Sequence, residues 1–325
     1  MQLLVWHDLL ITVKSYADHL NLISGPIIGG FMASRVTWRW MFWSTSIFQA
    51  AMVCFSFTTF HETYAPVILS RRAKRLRQET GDPRYHTIHD RAKGMNYILR
   101  EFGRALSRPL RLLIFHPIIQ LTGVISAFNY GLLYIVLSTF SDIWIKQYDQ
   151  PIEISGLHYI ACAAGEVVGS QLCGPLLDYL HRKKQSRIGH VQPEYRIPFM
   201  IPGAVLAPVG LLIYGWCVQY KVHWSVVDLG IFITTFSMQV GGMGLQAYVI
   251  DAYLDHTSSA MAATQFLRSL TAFLFPLFAP TMYESMGYGW GNTALAFIGL
   301  GLGLPAPLLI WYYGARLRAK AQSSY

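Results

Sequence analysis

Long apolar runs separated by short polar ones dominate the chain. Five of them, Trp40 to Phe60, Leu112 to Phe140, Ile197 to Tyr220, Leu229 to Ile250 and Ser285 to Ala315, contain no Asp, Glu, Lys or Arg. Two more, Ile154 to Leu177 and Thr257 to Tyr283, carry one charge each, Glu166 and Arg268. A bilayer core roughly 30 Å thick takes about 20 residues at the helical rise of about 1.5 Å. All seven runs meet that length. A shorter run, Leu20 to Ser34, contains Gly25, Pro26, Gly29 and Gly30 and needs neighbouring helices to cross. The pattern therefore predicts an all-α membrane protein with about eight transmembrane helices.

Composition agrees with this reading. Hydrophobic residues make up 53% of the chain, charged residues only 13%, and the mean hydropathy is +0.33, too little polar surface for a water-soluble globule. The formal charge of +9 would fit nucleic acid if it formed a patch on a soluble fold. Its distribution excludes that. If the eight helices alternate, segments 62–111, 178–196, 251–256 and 314–325 share one side and hold twenty Lys and Arg residues, against four on the other side, namely Arg35, Arg39, Lys146 and Lys221. Basic loops stay in the cytoplasm, so the central loop and the C-terminus are expected there, in a multi-pass protein of the plasma membrane.

Four divisions follow: 1–61 with two crossings and an atypical first 20 residues, a central cytoplasmic loop over 62–111, six helices over 112–315, and a tail over 316–325. The first part of the loop, APVILSRRAKRLRQE, is expected to continue as a helix. It either lays Val67, Ile68, Leu69 and Leu76 against lipid with its arginines on headgroups, or is a solvated basic segment that enforces topology. His86, His89 and Asp90 lack the further fixed partners of a metal site. Cys54, Cys162, Cys173 and Cys217 sit in apolar runs without ligand spacing and read as reduced packing residues. The N-terminus has no basic region or cleavage site of a signal peptide. No nucleophile and base, metal cluster or nucleotide loop suggests an enzyme, and no cofactor is implied.

Glu166 is the sharpest single residue. A mid-bilayer charge costs roughly 2.5–3.5 kcal/mol, which the aliphatic residues of its segment barely offset. It therefore faces a cavity or carries a proton. Either it loads and releases protons or binds a cation, or it is a structural carboxyl bonded to a neighbouring helix. Ala161, Gly165, Gly169 and Cys173 repeat every fourth residue beside it and predict a close helix contact. Arg268 needs a partner or a route to the interface, and an ion pair with Asp251 is one expectation.

The run SGPIIGGF at Ser24 to Phe31, followed by WRWMFW, resembles the antiporter signature of the fifth helix in drug:proton antiporters of the major facilitator superfamily, in their twelve-helix fungal branch. ETYAPVILSRRAKRLRQETGD, PEYRIP, GLQAYVIDAYLDHTSSAMAATQFLRS and FPLFAPTMYESMGYGWGNTALAF follow in the branch's order, and the resemblance runs from about residue 22 to the end.

The resemblance implies a major facilitator-type bundle that lacks the first four of twelve helices. It implies a secondary active exporter of small hydrophobic or cationic compounds, such as drugs, toxins or polyamines, driven by the proton gradient. A non-transporting truncated paralogue or gene fragment is the alternative. Gly25, Pro26, Gly29 and Gly30 would be the antiporter motif, which the family associates with export direction. Asp178 and Arg182, in GPLLDYLHRKK, resemble a loose copy of the gating loop and are otherwise a topogenic loop. Glu166, Asp251 and Arg268 would be the candidates for substrate binding and proton coupling. Small-molecule substrate, protons and membrane lipids are the implied partners.

Overall fold

A computed structural model describes residues 25, 27–60, 62, 64–82, 84–87, 95–188 and 193–322. The regular secondary structure of the described residues is entirely helical, without strands. The short run predicted at the N-terminus is helical over 27–35 (α1). The remaining helices are α2 (Trp38–Thr59), α3 (Ala65–Thr80), α4 (Met95–Phe115), α5 (Pro117–Lys146), α6 (Ile152–Leu157), α7 (Tyr159–Ile188), α8 (Met200–Gln219), α9 (Trp224–Ala252), α10 (Thr257–Gly303) and α11 (Pro305–Gln322). Single 3-10 turns precede α8 (Pro193–Phe199) and α10 (Leu254–His256). The seven long apolar runs correspond to α2, α5, α6 with α7, the first turn with α8, α9, and α10 with α11.

The helix named α10 is two crossings. Its 47 residues would stretch to about 70 Å if straight, twice the bilayer core. At Gly287 the backbone turns to φ 72° and ψ 168°, a conformation open to glycine but not to residues with a Cβ. The chain folds back there. Tyr283 Oη donates to Asn292 Oδ1 at 3.2 Å, and the rings of Tyr283 and Tyr288 stack 4.6 Å apart. Residues 283 and 292 would lie about 13 Å apart along a continuous helix. The reversal falls three residues after the connection expected at Glu284.

The chain forms two compact units. One comprises the described residues up to 35 together with those from 108 onward, the other the described residues of 36–107. The smaller holds α2, whose residues are all at least partly exposed, the basic helix α3 and most of α4. α3 begins on Pro66 in its first turn and ends at Gly81 in the left-handed conformation, which fixes its length. It bears out the helix expected after Tyr64.

In the larger unit α5 packs against α10, α8 against both α9 and α10, and α7 against α9. Lipid tails are as apolar as leucine, so burial of apolar area does not hold these helices together; close approach does. A Cβ on Gly203 of α8 would lie 2.6 Å from Ser237 O, and one on Gly210 would lie 2.7 Å from Thr234 N. The facing Gly230 of α9 would bring a Cβ to 2.8 Å from Tyr214 N. Four buried threonine hydroxyls are satisfied within their own helices: Thr122, Thr139, Thr234 and Thr235 each donate to the carbonyl four residues earlier. Across helices, Thr271 Oγ1 of α10 donates to Ala127 O of α5 at 2.6 Å. Large apolar side chains such as Phe57, Leu277 and Phe297 point outward, as a lipid solvent requires.

Candidate functional site

The expected small-residue face of α7 makes the predicted contact. A Cβ on Gly165 would lie 2.6 Å from Phe232 O of α9, and one on Gly169 would lie 3.1 Å from both Phe236 O and Gln239 Cβ. Glu166 follows Gly165 directly, so it leaves α7 at the edge of this seam, half-buried in the middle of the helix. Its carboxyl has neighbours to interact with there. The fully buried Cys162 thiol, one turn earlier, lies within electrostatic range of both Glu166 and Asp228 of α9.

Asp251 and Arg268 are not paired with each other. Asp251, at the end of α9, accepts from Arg196 Nε at 2.6 Å, and both side chains are largely buried. Arg268 lies over the Tyr130 ring of α5, with its guanidinium carbon 4.2 Å from the ring centroid and Tyr134 beside it. The reason is helical position. Asp251 closes α9 beside the 3-10 turn that carries Arg196, whereas Arg268 lies three turns into α10, where the facing element is α5. An aromatic face takes up the guanidinium in place of a carboxylate.

The PEYRIP run thus gathers a second ion pair that sequence reasoning missed. Glu194 is buried and meets Arg318 of α11 at 3.4 Å, with Gly314 and the Tyr248 hydroxyl against it. Nearby, the buried His116 ring, ahead of α5, lies 3.3 Å from the Tyr253 hydroxyl. These groups join α5, α8, α9 and α11 at the end of the bundle that carries the basic segments.

A cluster at the opposite end was also missed. His158, in the joint between α6 and α7, sets Nδ1 2.8 Å from Asp228 Oδ2 and Nε2 2.9 Å from Gln150 Oε1. Its ring stacks on Trp144 with centroids 3.6 Å apart. The available signal is a histidine inside an apolar run, which a pattern of Asp, Glu, Lys and Arg alone does not register.

Within the run that resembles an antiporter motif, Gly30 makes the close approach. A Cβ there would lie 3.2 Å from Ile152 O and 3.8 Å from Gly156 Cα, so α1 packs backbone to backbone on α6. Gly25 faces open space, Gly29 is half-buried, and Pro26 lies outside the described residues. Asp178 and Arg182 occupy the last turns of α7, where only the backbone is described. His89 and Asp90 lie outside the described residues; among those described, no group of three His, Cys, Asp or Glu side chains could hold a metal ion.

Comparison with known proteins gives these features a context. The family model described as Major Facilitator Superfamily matches residues 17–276. The chain is 52% identical over 303 residues to the probable efflux pump mfs2 of Aspergillus flavus, covering 93% of this chain and 71% of that protein. It is 38% identical to the efflux pump vrtL of Penicillium aethiopicum and 36% identical to the efflux pump radE of Floropilus chiversii. Those matches cover 90% and 95% of this chain but only 58% and 57% of the two relatives, so the chain spans little more than half their length. Matched helices, ordered motifs and fungal efflux-pump relatives agree, and the chain belongs to the Major Facilitator Superfamily, a family of membrane transporters rather than enzymes.

Proposed function

We propose that this chain works in a secondary active transporter that exports small hydrophobic or cationic compounds in exchange for protons. Its place is the plasma membrane, with the central loop and C-terminus in the cytoplasm. The observation that carries this reading is Glu166, an ionisable carboxyl half-buried at mid-helix, beside a seam where α7 and α9 touch through glycine. A carboxyl kept at such a depth against its insertion cost marks an ion or substrate pathway. Three relatives with efflux in their names support the direction of transport.

The other residues take roles around it. Asp251 with Arg196 ties the ends of α8 and α9, and Asp178 and Arg182, in the last turns of α7, belong to the gating segment. Arg268 with Tyr130 and Tyr134 presents a cation screened by aromatic faces, a surface that suits flat hydrophobic compounds. Gly25, Pro26, Gly29 and Gly30 form the antiporter motif, through which α1 rests on α6.

The test is export of a fluorescent lipophilic cation by the chain reconstituted in proteoliposomes under an imposed proton gradient. Glu166→Gln is expected to lower gradient-driven export at least about tenfold, equivalent to roughly 1.4 kcal/mol of lost coupling. Undiminished export by this variant overturns the coupling role.

A further inference from the structure

His158 is the centre of a buried polar cluster at the end of the bundle opposite the basic segments. Only 8% of His158 and 16% of the Asp228 side chain are exposed. Both ring nitrogens face oxygen acceptors, the Asp228 carboxylate at 2.8 Å and the Gln150 amide oxygen at 2.9 Å. A ring can donate to two acceptors only when both nitrogens carry hydrogen, which is the imidazolium form. The parallel stack on Trp144, 3.6 Å between centroids and 9° between planes, also favours a cationic ring. The second carboxylate oxygen, Asp228 Oδ1, is buried without a hydrogen-bond partner and is a place for a further proton.

The cluster is aligned with Glu166. His158, Cys162 and Glu166 are four residues apart, so they share one stripe of the helical segment at successive steps of about 6 Å. Cys162, fully buried, stands between His158 and Glu166 on this stripe. Asp228 is the fifth residue of α9 and reaches this stripe across the same contact that Gly165 and Gly169 make possible deeper in the bundle.

We propose that His158 and Asp228 form the outward proton-loading site of a pathway that ends on Glu166. Asp228 takes a proton from the outer solution, which releases the charged histidine from its carboxylate. The ring proton of His158 then passes by way of water along the α7 stripe to the Glu166 carboxylate, and the proton on Asp228 moves to the ring, so that only N–H and O–H bonds break and form and the pair returns to its starting state. The proposal rests on the reading of Glu166 as the coupling carboxyl.

Other charged groups near the cluster are engaged or turned outward. On α5, Lys146 pairs with Asp142 at 2.6 Å, and both are exposed. The Tyr148 hydroxyl donates to Val222 O at 2.7 Å. Glu153 lies in the first turn of α6, and His223, capping α9, bonds to Ser225.

The decisive measurement is the 15N NMR spectrum of histidine-labelled chain in phospholipid nanodiscs at neutral pH. One ring with both nitrogens protonated is expected, absent in His158→Gln and singly protonated in Asp228→Asn. A singly protonated His158 ring in the unaltered chain, with the Gln150 amide turned to donate, overturns the proposal. So does a His158 ring indifferent to Asp228→Asn.

Gradient-driven proton flux in proteoliposomes supplies the second readout. His158→Gln and Asp228→Asn are expected to lower it at least about tenfold, as Glu166→Gln does. If Glu166→Gln abolishes flux while His158→Gln keeps it, the loading site is wrong and the coupling role of Glu166 stands. If Glu166→Gln spares flux, or the unaltered chain carries none, the transport reading fails and the NMR result alone decides whether this pair holds the proton.

Discussion

At the scale of single residues, ion pairing is decided by neighbours in space that a linear pattern ranks poorly. Asp251 and Arg268 are both conspicuous as charges near apolar runs, yet Asp251 bonds to Arg196 at 2.6 Å and Arg268 rests on Tyr130. Removing one member of a largely buried pair leaves the other uncompensated, at a cost of about 3–5 kcal/mol, whereas removing both costs less. Asp251→Ala is therefore expected to lower the thermal unfolding midpoint of the purified chain markedly. Arg196→Ala with Asp251→Ala is expected to recover part of the loss, and an additive double variant would show that the contact carries no coupling. Arg268→Ala should leave that cycle unchanged, since the two sites share no partner. Glu166 was legible as a residue because one carboxyl stood in an otherwise uncharged run. His158 was not, because its significance depends on Asp228 seventy residues away.

At the scale of elements, most of the architecture was readable, and the exceptions have physical causes. Uncharged runs of bilayer length located α2, α5, α8 and α9 directly, and the four-residue repeat of small side chains on α7 predicted a close helix contact, whose partner the structure identifies as α9. α4 escaped because its apolar residues, Ile98, Leu99, Phe102, Leu106, Leu110 and Leu113, alternate with four arginines; a search for uninterrupted apolarity discards an amphipathic helix. The α8 seam escaped because Gly203 and Gly210 are seven residues apart, a spacing without the four-residue signature. The α7 contact is also the element most open to a direct test. Gly165→Val would drive a branched side chain into Phe232 O and the Thr235 hydroxyl, which are backbone and near-backbone atoms that cannot turn aside. The expected destabilisation is about 1–3 kcal/mol, read as a lower unfolding midpoint in detergent, with Gly174→Val as the control because a Cβ there meets only Met243 Cε, at an ordinary contact distance of 3.6 Å. Equal losses for the two variants would refute the seam as a point of close approach.

At the scale of the whole molecule, the distribution of charge is a prediction about sidedness. The segments holding twenty basic residues are assigned to the cytoplasm. Single cysteines placed at Lys183 and at Asp149, in a background with the four native cysteines removed, distinguish the two faces. A membrane-impermeant maleimide added to intact cells is expected to label the Asp149→Cys chain and to reach the Lys183→Cys chain only after permeabilisation. The reverse pattern would invert the orientation and place the His158 cluster in the cytoplasm.

The reversal at Gly287 bears on how the protein is made. Arg268, in the first arm, is unfavourable in hydrocarbon and leaves the ribosome before the charge-free second arm is complete. With so short a turn, the two arms can enter the bilayer as one hairpin whose later half offsets the insertion cost of the earlier. A longer polar insertion at Gly287 would separate those events, leaving the arginine-bearing arm to partition alone during synthesis.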